Sequence, residues 1–203
     1  MSECHIFNIS LLGESEVGKT SILKYYEDKI FENVISTIGI DISMKKVKFP
    51  DDEKEYKFKI FDTAGQERFK SISYSTIQLA DGFLMVFAVN NRKSFQKINE
   101  WFTNISEHVD LKEKVIFIVV NKIDLVRQVQ KEEGEEFANK MGIKYKETSA
   151  KTGEGTEEVF QDIYNDIYER YKKQKHNNND KRIKLDSKNH NKNNFFRYFK
   201  KVC

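Results

Sequence analysis

Cysteine is scarce in this chain of 203 residues, and long apolar runs are missing from it. Only Cys4 and Cys203 are present, so no disulfide framework is expected and a reducing compartment is the natural setting. No stretch approaches the roughly 18 apolar residues of a membrane span, and the N-terminal Met-Ser-Glu-Cys-His has no signal-peptide character. With 38% hydrophobic and 33% charged residues, the composition predicts one soluble globular domain.

The small net charge of +3 is unevenly distributed along the chain. Residues 172–203 carry a charge of +9, which leaves −6 for residues 1–171. This last stretch is rich in Asn and Lys and almost free of aliphatic side chains until its end, a composition typical of disorder. We expect a folded domain over residues 4–173 and a disordered basic tail over residues 174–203.

Apolar runs and their spacing predict an alternation of strands and helices. Six strands are expected at residues 6–12, 40–49, 57–62, 83–89, 115–120 and 143–147, and four helices at residues 19–26, 95–108, 132–141 and 156–172. The fourth and fifth strands are apolar on both faces, as in a parallel sheet covered on both sides. Pro50 and the two Asp that follow predict a hairpin between the second and third strands. The apolar residues of the last helix are expected to be core: Val159, Phe160, Ile163, Tyr164, Ile167, Tyr168 and Tyr171.

Residues 13–20 read Gly-Glu-Ser-Glu-Val-Gly-Lys-Thr, a complete phosphate loop between the first strand and the first helix. Glycine at each end lets successive backbone N–H groups curl around phosphate oxygens at the positive end of the helix. Lys19 adds a positive charge, and Thr20 offers a hydroxyl to Mg²⁺. The pattern predicts a binder of nucleotide triphosphate within an α/β phosphate-loop fold, a six-stranded mostly parallel sheet flanked by helices on both faces.

Four further segments follow in order: Ser-Thr-Ile-Gly-Ile-Asp (36–41), Phe-Asp-Thr-Ala-Gly-Gln-Glu (61–67), Asn-Lys-Ile-Asp (121–124) and Thr-Ser-Ala-Lys (148–151). With the phosphate loop, their order and spacing resemble the small GTPases, most closely the Rab family. Asp124 offers a carboxylate to the two N–H donors on the edge of guanine, a pair that adenine lacks. In the resembling family Phe31 and Lys122 flank the base and the Ala150 N–H reaches the guanine oxygen.

The resemblance also implies a GTP/GDP switch that hydrolyses GTP. Thr37 would complete Mg²⁺ and sense the third phosphate with the Gly65 N–H, Asp62 would hold a metal-bound water, and Gln66 would orient the attacking water. The implied catalytic residues are Gln66, Lys19 and Thr37, and the implied metal ligands are Thr20, Thr37 and Asp62. The implied nucleotide contacts are Gly13, Ser15, Glu16, Val17, Gly18, Lys19, Thr20, Ser21, Phe31, Thr37, Asp62, Gly65, Asn121, Lys122, Asp124, Ser149, Ala150 and Lys151. No internal arginine finger is found, so intrinsic hydrolysis is expected to be slow and stimulated by a separate activating protein.

The chain departs from the Rab pattern at several places. The usual Phe-Trp-Tyr surface set corresponds here to Ile42, Phe61 and Thr76, and Ala88 replaces a common Asp. The first switch loop is one residue shorter than in most relatives. Glu16 stands in the phosphate loop where small residues are commoner, and we expect its carboxylate to point outward because it repels triphosphate.

The tail ends in Cys203 without a C-a-a-X box, which resembles the terminal cysteines that carry geranylgeranyl groups in Rab proteins. One lipid and a basic segment together are expected to hold the chain, as a monomer, on the cytosolic leaflet of an endomembrane. A solvated tail with an incidental cysteine is the alternative there. Nucleic acid is not expected as a partner, because the basic run has no folded reading element.

The resemblance thus favours a Rab-like switch in vesicle traffic, with an exchange factor, an activating protein and effectors binding near residues 33–45 and 62–78. A pseudo-GTPase scaffold that stays loaded with GTP is one alternative, in which Glu16, Ala88 and the short loop would disturb cycling. A phosphate-loop kinase or ATPase is the other, and Asn121 and Asp124 argue against it.

Overall fold

The computed structural model describes residues 5–31, 40–63 and 70–175, and only the backbone of residues 70–74. The chain divides into two compact units, Met1–Ile167 and Tyr168–Cys203. The first contains the sheet, and the described part of the second, residues 168–175, is helical. The predicted boundary between residues 173 and 174 stays a prediction, since nearly all of the tail lies outside the described residues.

The described residues form six strands, six α-helices and one 3₁₀ turn. The strands are β1 (Ile6–Leu12), β2 (Ile40–Phe49), β3 (Asp52–Thr63), β4 (Gly82–Ala88), β5 (Val115–Asn121) and β6 (Lys144–Glu147). The helices are α1 (Lys19–Asp28), α2 (Lys70–Leu79), α3 (Arg92–Gln96), α4 (Ile98–His108), α5 (Lys131–Met141) and α6 (residues 156–175), with the 3₁₀ turn at Leu111–Glu113. None of the helices in this part of the chain has the length and apolar character needed to cross a bilayer.

The strands form one sheet in the order β2-β3-β1-β4-β5-β6. Strand β1 pairs in parallel with β3 and β4, the pairs β4–β5 and β5–β6 are also parallel, and β2 alone runs antiparallel to its neighbour. The predicted mostly parallel sheet and its edge hairpin are confirmed. Because parallel strands end at the same edge, the loops after β1, β3, β5 and β6 meet there.

Helices cover both faces of the sheet, as the two-sided apolar strands predicted. On one face Phe83, Met85 and Phe87 of β4 belong to a buried cluster that also holds residues from α2, α4 and α5. On the other face a Cβ at Gly82 would lie 3.1 Å from the Ile163 side chain of α6. Two ring contacts extend that second layer: Phe160 stacks on Tyr26 of α1 with centroids 4.2 Å apart, and Tyr164 lies 4.3 Å from Phe58 of β3.

The elements differ most from the sequence prediction in three places, and the other bounds shift by at most three residues. The helix expected over residues 95–108 is two helices joined at Lys97, and the first begins earlier because Asn91 caps it, its side chain accepting the Ser94 N–H. Strand β3 begins at Asp52, since its polar first half pairs with β2. Helix α2 was not expected. In α6 the predicted core residue Tyr171 is only half-buried, whereas Tyr168 and the five predicted core residues before it are buried.

Candidate functional site

The loop between β1 and α1 takes a conformation that glycine makes possible. Gly13 and Gly18 have φ of +144° and +95°, which side-chain-bearing residues rarely adopt. A Cβ at Gly13 would lie 2.2 Å from the Val86 carbonyl oxygen, and one at Gly18 would lie 2.3 Å from Asn121 Nδ2. The loop is therefore packed against β4 and against the end of β5.

Helix α1 starts directly at the end of this loop. Its N-cap is Gly18, which has no side chain to accept the N–H groups of the first turn, and the first turn holds no acidic residue. Ser21 and Val17, on either side of the helix start, are buried. The N–H groups at the positive end of a helix suit an anion such as a phosphate.

Lys19 lies at the centre of the loop and is only 5% exposed. Its Nζ donates to the Gly13 and Glu14 carbonyl oxygens, both at 2.9 Å. Burial lowers the pKa of Lys19 to about 8, against the opposing effect of the Asp62 and Glu14 carboxylates. The ammonium is held in place by backbone carbonyls and is bonded to no carboxylate of the described residues, so it is suited to an anionic partner.

Thr20 and Asp62 form a polar pair at the carboxyl end of β3. The Thr20 hydroxyl donates to Asp62 Oδ2 at 2.5 Å. The other carboxylate oxygen, Asp62 Oδ1, is buried and has no hydrogen-bond partner among the described residues. Burial raises the pKa of Asp62, partly offset by Thr20 and Lys19. A buried carboxylate oxygen left without a donor is suited to a cation or a cation-bound water.

Asn121, at the end of β5, joins the phosphate loop to the loop after β6. Its Nδ2 donates to the Val17 carbonyl at 2.9 Å, and its Oδ1 accepts the Ala150 N–H at 3.2 Å. The Thr148 hydroxyl also donates to Oδ1 at 3.3 Å. Asn121 is 1% exposed, so this amide positions both loops through hydrogen bonds that water does not replace.

The neighbours of Asn121 add a second connection and an open carboxylate. Lys122 has φ of +64°, and its Nζ donates to the Glu16 carbonyl at 2.7 Å. The Ser149 hydroxyl donates to Asp124 Oδ1 at 2.6 Å and accepts the Thr152 N–H. Asp124 itself is exposed, and this hydrogen bond holds one of its carboxylate oxygens against Ser149.

The structure brings most of the predicted site residues to one edge of the sheet. Phe31 is 43% exposed after α1, Lys151 is exposed and Ser15 is half-buried in the loop. Thr37, Gly65 and Gln66 fall within residues 32–39 and 64–69, outside the described residues, so their predicted positions are not tested.

Glu16 is exposed, as expected for a carboxylate directed away from phosphate. Its φ of 63° is left-handed, a costly conformation for a residue with a side chain. It borders an open cleft of about 460 Å³ also lined by Ala88, Arg92, Lys93 and Lys122. Of the cationic residues that line this cleft, Arg92 is ion-paired with Glu133.

Two residues of the site were not predicted as such. The Glu14 carbonyl holds Lys19, and Thr148 fixes Asn121 and the Val120 carbonyl. Both belong to the quoted motifs, and this membership is their only signal in the sequence. Glu14 contributes to the site through the position of its backbone carbonyl, and Thr148 contributes through its buried hydroxyl.

Comparisons with known proteins agree with this geometry. The model of the Ras family matches residues 8–169. Ras-related protein Rab-8B of Homo sapiens is 38% identical over 200 residues, 95% of each chain. Rab-8 of Diplobatis ommata is 41% identical over 177 residues, 86% of this chain and 83% of its own. Rab-8A of Bos taurus is 42% identical over 167 residues, 80% of this chain and 79% of its own.

These matches cover the phosphate loop, the Asp62 segment and the Asn121 and Ala150 loops together, and they favour a cycling GTPase over a scaffold that stays loaded. The chain belongs to the Ras family and is a Rab-like small GTPase of vesicle trafficking.

Proposed function

We propose that this GTPase holds guanine nucleotide along the edge where the loops after β1, β3, β5 and β6 meet. The observation that supports it best is Asn121, whose buried amide joins the phosphate loop to the Ala150 loop. Asp124 would accept the guanine N–H donors, with Ser149 fixing its orientation. Lys122, Lys151 and Phe31 would complete the base site, and the Ala150 N–H would be shared between Asn121 Oδ1 and the guanine oxygen.

At the other end the α1 N-terminus and Lys19 would bind the phosphates. Gly13, Ser15, Glu16, Val17 and Gly18 would contribute backbone N–H groups, and Ser21 would extend the first turn. Lys19 already has its ammonium directed at the loop carbonyls, so it needs only a small shift to reach phosphate oxygens. An anionic phosphate would then stabilise its charged form, which burial disfavours.

The residues present fit a Mg²⁺ ion at Thr20 and Asp62. Asp62 Oδ1 is buried without a donor, and the Thr20 hydroxyl lies beside the same carboxylate. The described residues contain no cluster of three acidic, His or Cys side chains, so nucleotide oxygens and waters would have to complete the shell, as Mg²⁺ prefers. When bound, the ion would neutralise charge on the phosphates. Thr37 would be its third protein ligand.

Hydrolysis would depend on positioning of water and on charge stabilisation. Gln66 would orient the water, and Lys19 would stabilise the charge that develops on the phosphates. Thr37 and the Gly65 N–H would contact the third phosphate and lose that contact after hydrolysis. This change would convert the state of the nucleotide into a change of surface.

That surface would recruit the protein partners. An exchange factor, an activating protein and effectors would bind near residues 33–45 and 62–78, to a chain acting as a monomer. The basic tail and a lipidated Cys203 would hold it on the cytosolic face of an endomembrane or vesicle.

A single-turnover assay of preloaded GTP tests the water-positioning role. Gln66→Leu is expected to bind GTP as the wild type does and to hydrolyse it at least tenfold more slowly, because the attacking water loses its orienting group. The measurement is phosphate release with Mg²⁺ present, beside wild-type protein offered ATP as a control for base selectivity. Equal rates in the two variants, or hydrolysis of ATP at the same rate, would contradict the proposal.

A further inference from the structure

The loop after β6 is a closed turn built around one buried serine. Gly153 has φ of +87°, and its N–H donates to the Ser149 carbonyl at 2.8 Å. The Ser149 hydroxyl accepts the Thr152 N–H at 3.2 Å, and the Ser149 N–H donates to the Glu154 carbonyl at 2.9 Å. We call residues 149–154 the base turn. Because its hydrogen bonds close on Ser149, which is fully buried, the turn is expected to move as a unit.

The ring of Tyr25, in α1, packs directly against the base turn. A Cβ at Gly153 would lie 2.1 Å from Tyr25 Oη and 2.3 Å from Tyr25 Cζ, distances at which atoms overlap. The tip of the phenol therefore fills the space that a side chain at position 153 would need. The Tyr25 hydroxyl also donates to the Thr152 carbonyl at 3.5 Å, which is a long and weak hydrogen bond. The contact consequently depends on shape more than on the hydroxyl.

The helix that carries Tyr25 is held firmly on both sides of this contact. The next residue, Tyr26, is buried and stacks on Phe160 of α6 with centroids 4.2 Å apart. At the end of α1, Lys29 forms an ion pair with Glu157 in the first turn of α6. That pair is half-exposed and contributes little by itself, so the buried stack fixes the helix. Tyr25 thus offers the base turn a surface whose position is set by the core.

The base turn in its turn holds two polar groups of the candidate site. The Ser149 hydroxyl donates to Asp124 Oδ1 at 2.6 Å, and the Ala150 N–H donates to Asn121 Oδ1 at 3.2 Å. A displacement of the turn would lengthen both hydrogen bonds. A continuous series of contacts therefore leads from the ring of Tyr25 through the base turn to the carboxylate of Asp124.

We propose that Tyr25 is a positioning residue for guanine selectivity, because its ring holds the base turn where Ser149 orients Asp124. The inference rests on the proposed function, in which Asp124 accepts the N–H donors of guanine. Without the ring, the base turn gains room to move toward α1, and the carboxylate loses its fixed direction. Tyr25 lies six residues, about 9 Å along the helix, from the start of α1. Its loss should therefore affect selectivity for the base more than binding of the phosphates.

Competition of GDP and inosine diphosphate against labelled GDP, on the full chain, tests the proposal. Inosine diphosphate lacks the 2-amino group, so the ratio of the two affinities measures the hydrogen bond of Asp124 to that group. The wild type is expected to prefer GDP by about tenfold or more, since a hydrogen bond to a charged group is lost with the analogue. Tyr25→Ala should lower this ratio at least about threefold. Tyr25→Leu keeps apolar bulk on α1 but lacks Cζ and Oη, and it should lower the ratio as well.

Two further variants separate positioning from a general loss of stability. Tyr25→Phe keeps the ring and removes only the weak hydrogen bond, so its ratio should stay within about twofold of wild type. Tyr171→Ala removes another half-buried tyrosine, from a part of α6 that holds no predicted nucleotide contact. It is expected to lower the melting temperature and to leave the ratio unchanged. Thermal unfolding of each GDP-loaded variant measures the stability.

Gly153→Ala approaches the same contact from the side of the base turn. The added methyl group overlaps the tip of Tyr25, so the turn must shift and the ratio of affinities should fall. In the Tyr25→Ala background the overlapping atoms are absent, and Gly153→Ala should have a smaller effect on the ratio there. Effects of the two substitutions that simply multiply would contradict a direct contact.

Two other results would overturn the proposal. One is a ratio in Tyr25→Ala equal to that of a wild type that prefers GDP. The other is an equal fall of the ratio in Tyr25→Ala and Tyr171→Ala, which would assign the effect to stability. A wild type that binds both nucleotides equally well would contradict the proposed base site, and this inference with it. That failure is recognised separately, since it needs no variant.

Discussion

Lys19 shows how one buried side chain can make nucleotide binding depend on pH. Its ammonium is surrounded by protein and held by two carbonyls, which together do not replace the hydration lost on burial. The pKa of Lys19 is therefore lowered to about 8 in the nucleotide-free fold. An incoming phosphate restores the preference for the charged form, so the proton is linked to the ligand.

We predict that GDP affinity falls as the pH rises above about 8, by up to tenfold per pH unit, because the free site loses its proton there and binding must restore it. The check is titration calorimetry at pH 9 in two buffers of different ionisation enthalpy, which reveals proton uptake. Lys19→Arg, whose guanidinium does not titrate in this range, controls for titration of the base itself. Proton uptake that is equal in both proteins would contradict the assignment.

The same pKa has the opposite consequence for the stability of the nucleotide-free fold. Between pH 8 and 10.5 the unfolded chain binds more protons at Lys19 than the folded chain does. The free energy of unfolding therefore rises with pH across that window as far as Lys19 is concerned. A rise in pH through this window thus increases the stability of the nucleotide-free protein and lowers its affinity for GDP.

Glu16 combines a negative charge near the phosphates with a left-handed backbone, and Glu16→Gly should relieve both. We predict GDP release slower than in the wild type by at most about twofold, since the exposed carboxylate leaves only a weak, solvent-screened repulsion to remove. The melting temperature should also rise, because glycine adopts φ of 63° without steric cost. The measurements are the off-rate of labelled GDP and thermal unfolding.

Glu16→Gln is the matched control, since it removes the charge and keeps the backbone cost. It should slow GDP release about as much as Glu16→Gly while leaving the melting temperature close to wild type. The difference in off-rate between wild type and either variant should shrink in high salt. Equal off-rates for wild type and Glu16→Gln at low salt would refute the role of the charge.

At the scale of elements, the two helices α1 and α6 are fixed to each other by aromatic stacking. Phe160 is fully buried and its ring lies 4.2 Å from that of Tyr26. Because α1 carries the phosphate-binding turn at its start, this packing also supports the site.

We predict that Phe160→Ala lowers the free energy of unfolding by about 3–5 kcal/mol, the usual cost of removing a buried aromatic ring. Denaturant unfolding of the GDP-loaded protein measures it. Asn165→Ala on the exposed side of α6 is the control and should change stability by less than about 0.5 kcal/mol. A loss near 1 kcal/mol in the Phe160 variant would mean that the surroundings collapse into the space.

Some elements were predictable from sequence and others were not. The central strands are predictable because both of their faces are apolar, as in Phe-Leu-Met-Val-Phe of β4. Helix α2 is not predictable, because few apolar residues recur at helical spacing in Lys-Ser-Ile-Ser-Tyr-Ser-Thr-Ile-Gln-Leu. Its position depends instead on the burial of Ile77 and Thr76. The start of β3 is likewise decided by pairing with β2, because Asp-Glu-Lys-Glu has little strand character of its own.

At the scale of the whole molecule, the sequence motifs predicted which residues belong to the site but not how they support one another. Asn121 bonds to residues 104 positions earlier and 29 positions later in the chain. Such contacts depend on the strand order, which places β1 and β5 on either side of β4. A one-dimensional pattern contains the residue types and their order, and only the folded sheet brings the two loops together.

The hydrogen bonds of Asn121 also have a consequence for nucleotide release. The base-side loop and the phosphate-side loop share one buried amide, and Lys122 reaches the same phosphate loop through Glu16. Loosening either end removes hydrogen bonds from the other. Release of the nucleotide should therefore occur in one step with a single barrier. A regulator that displaces either the base-side loop or the phosphate loop would weaken both.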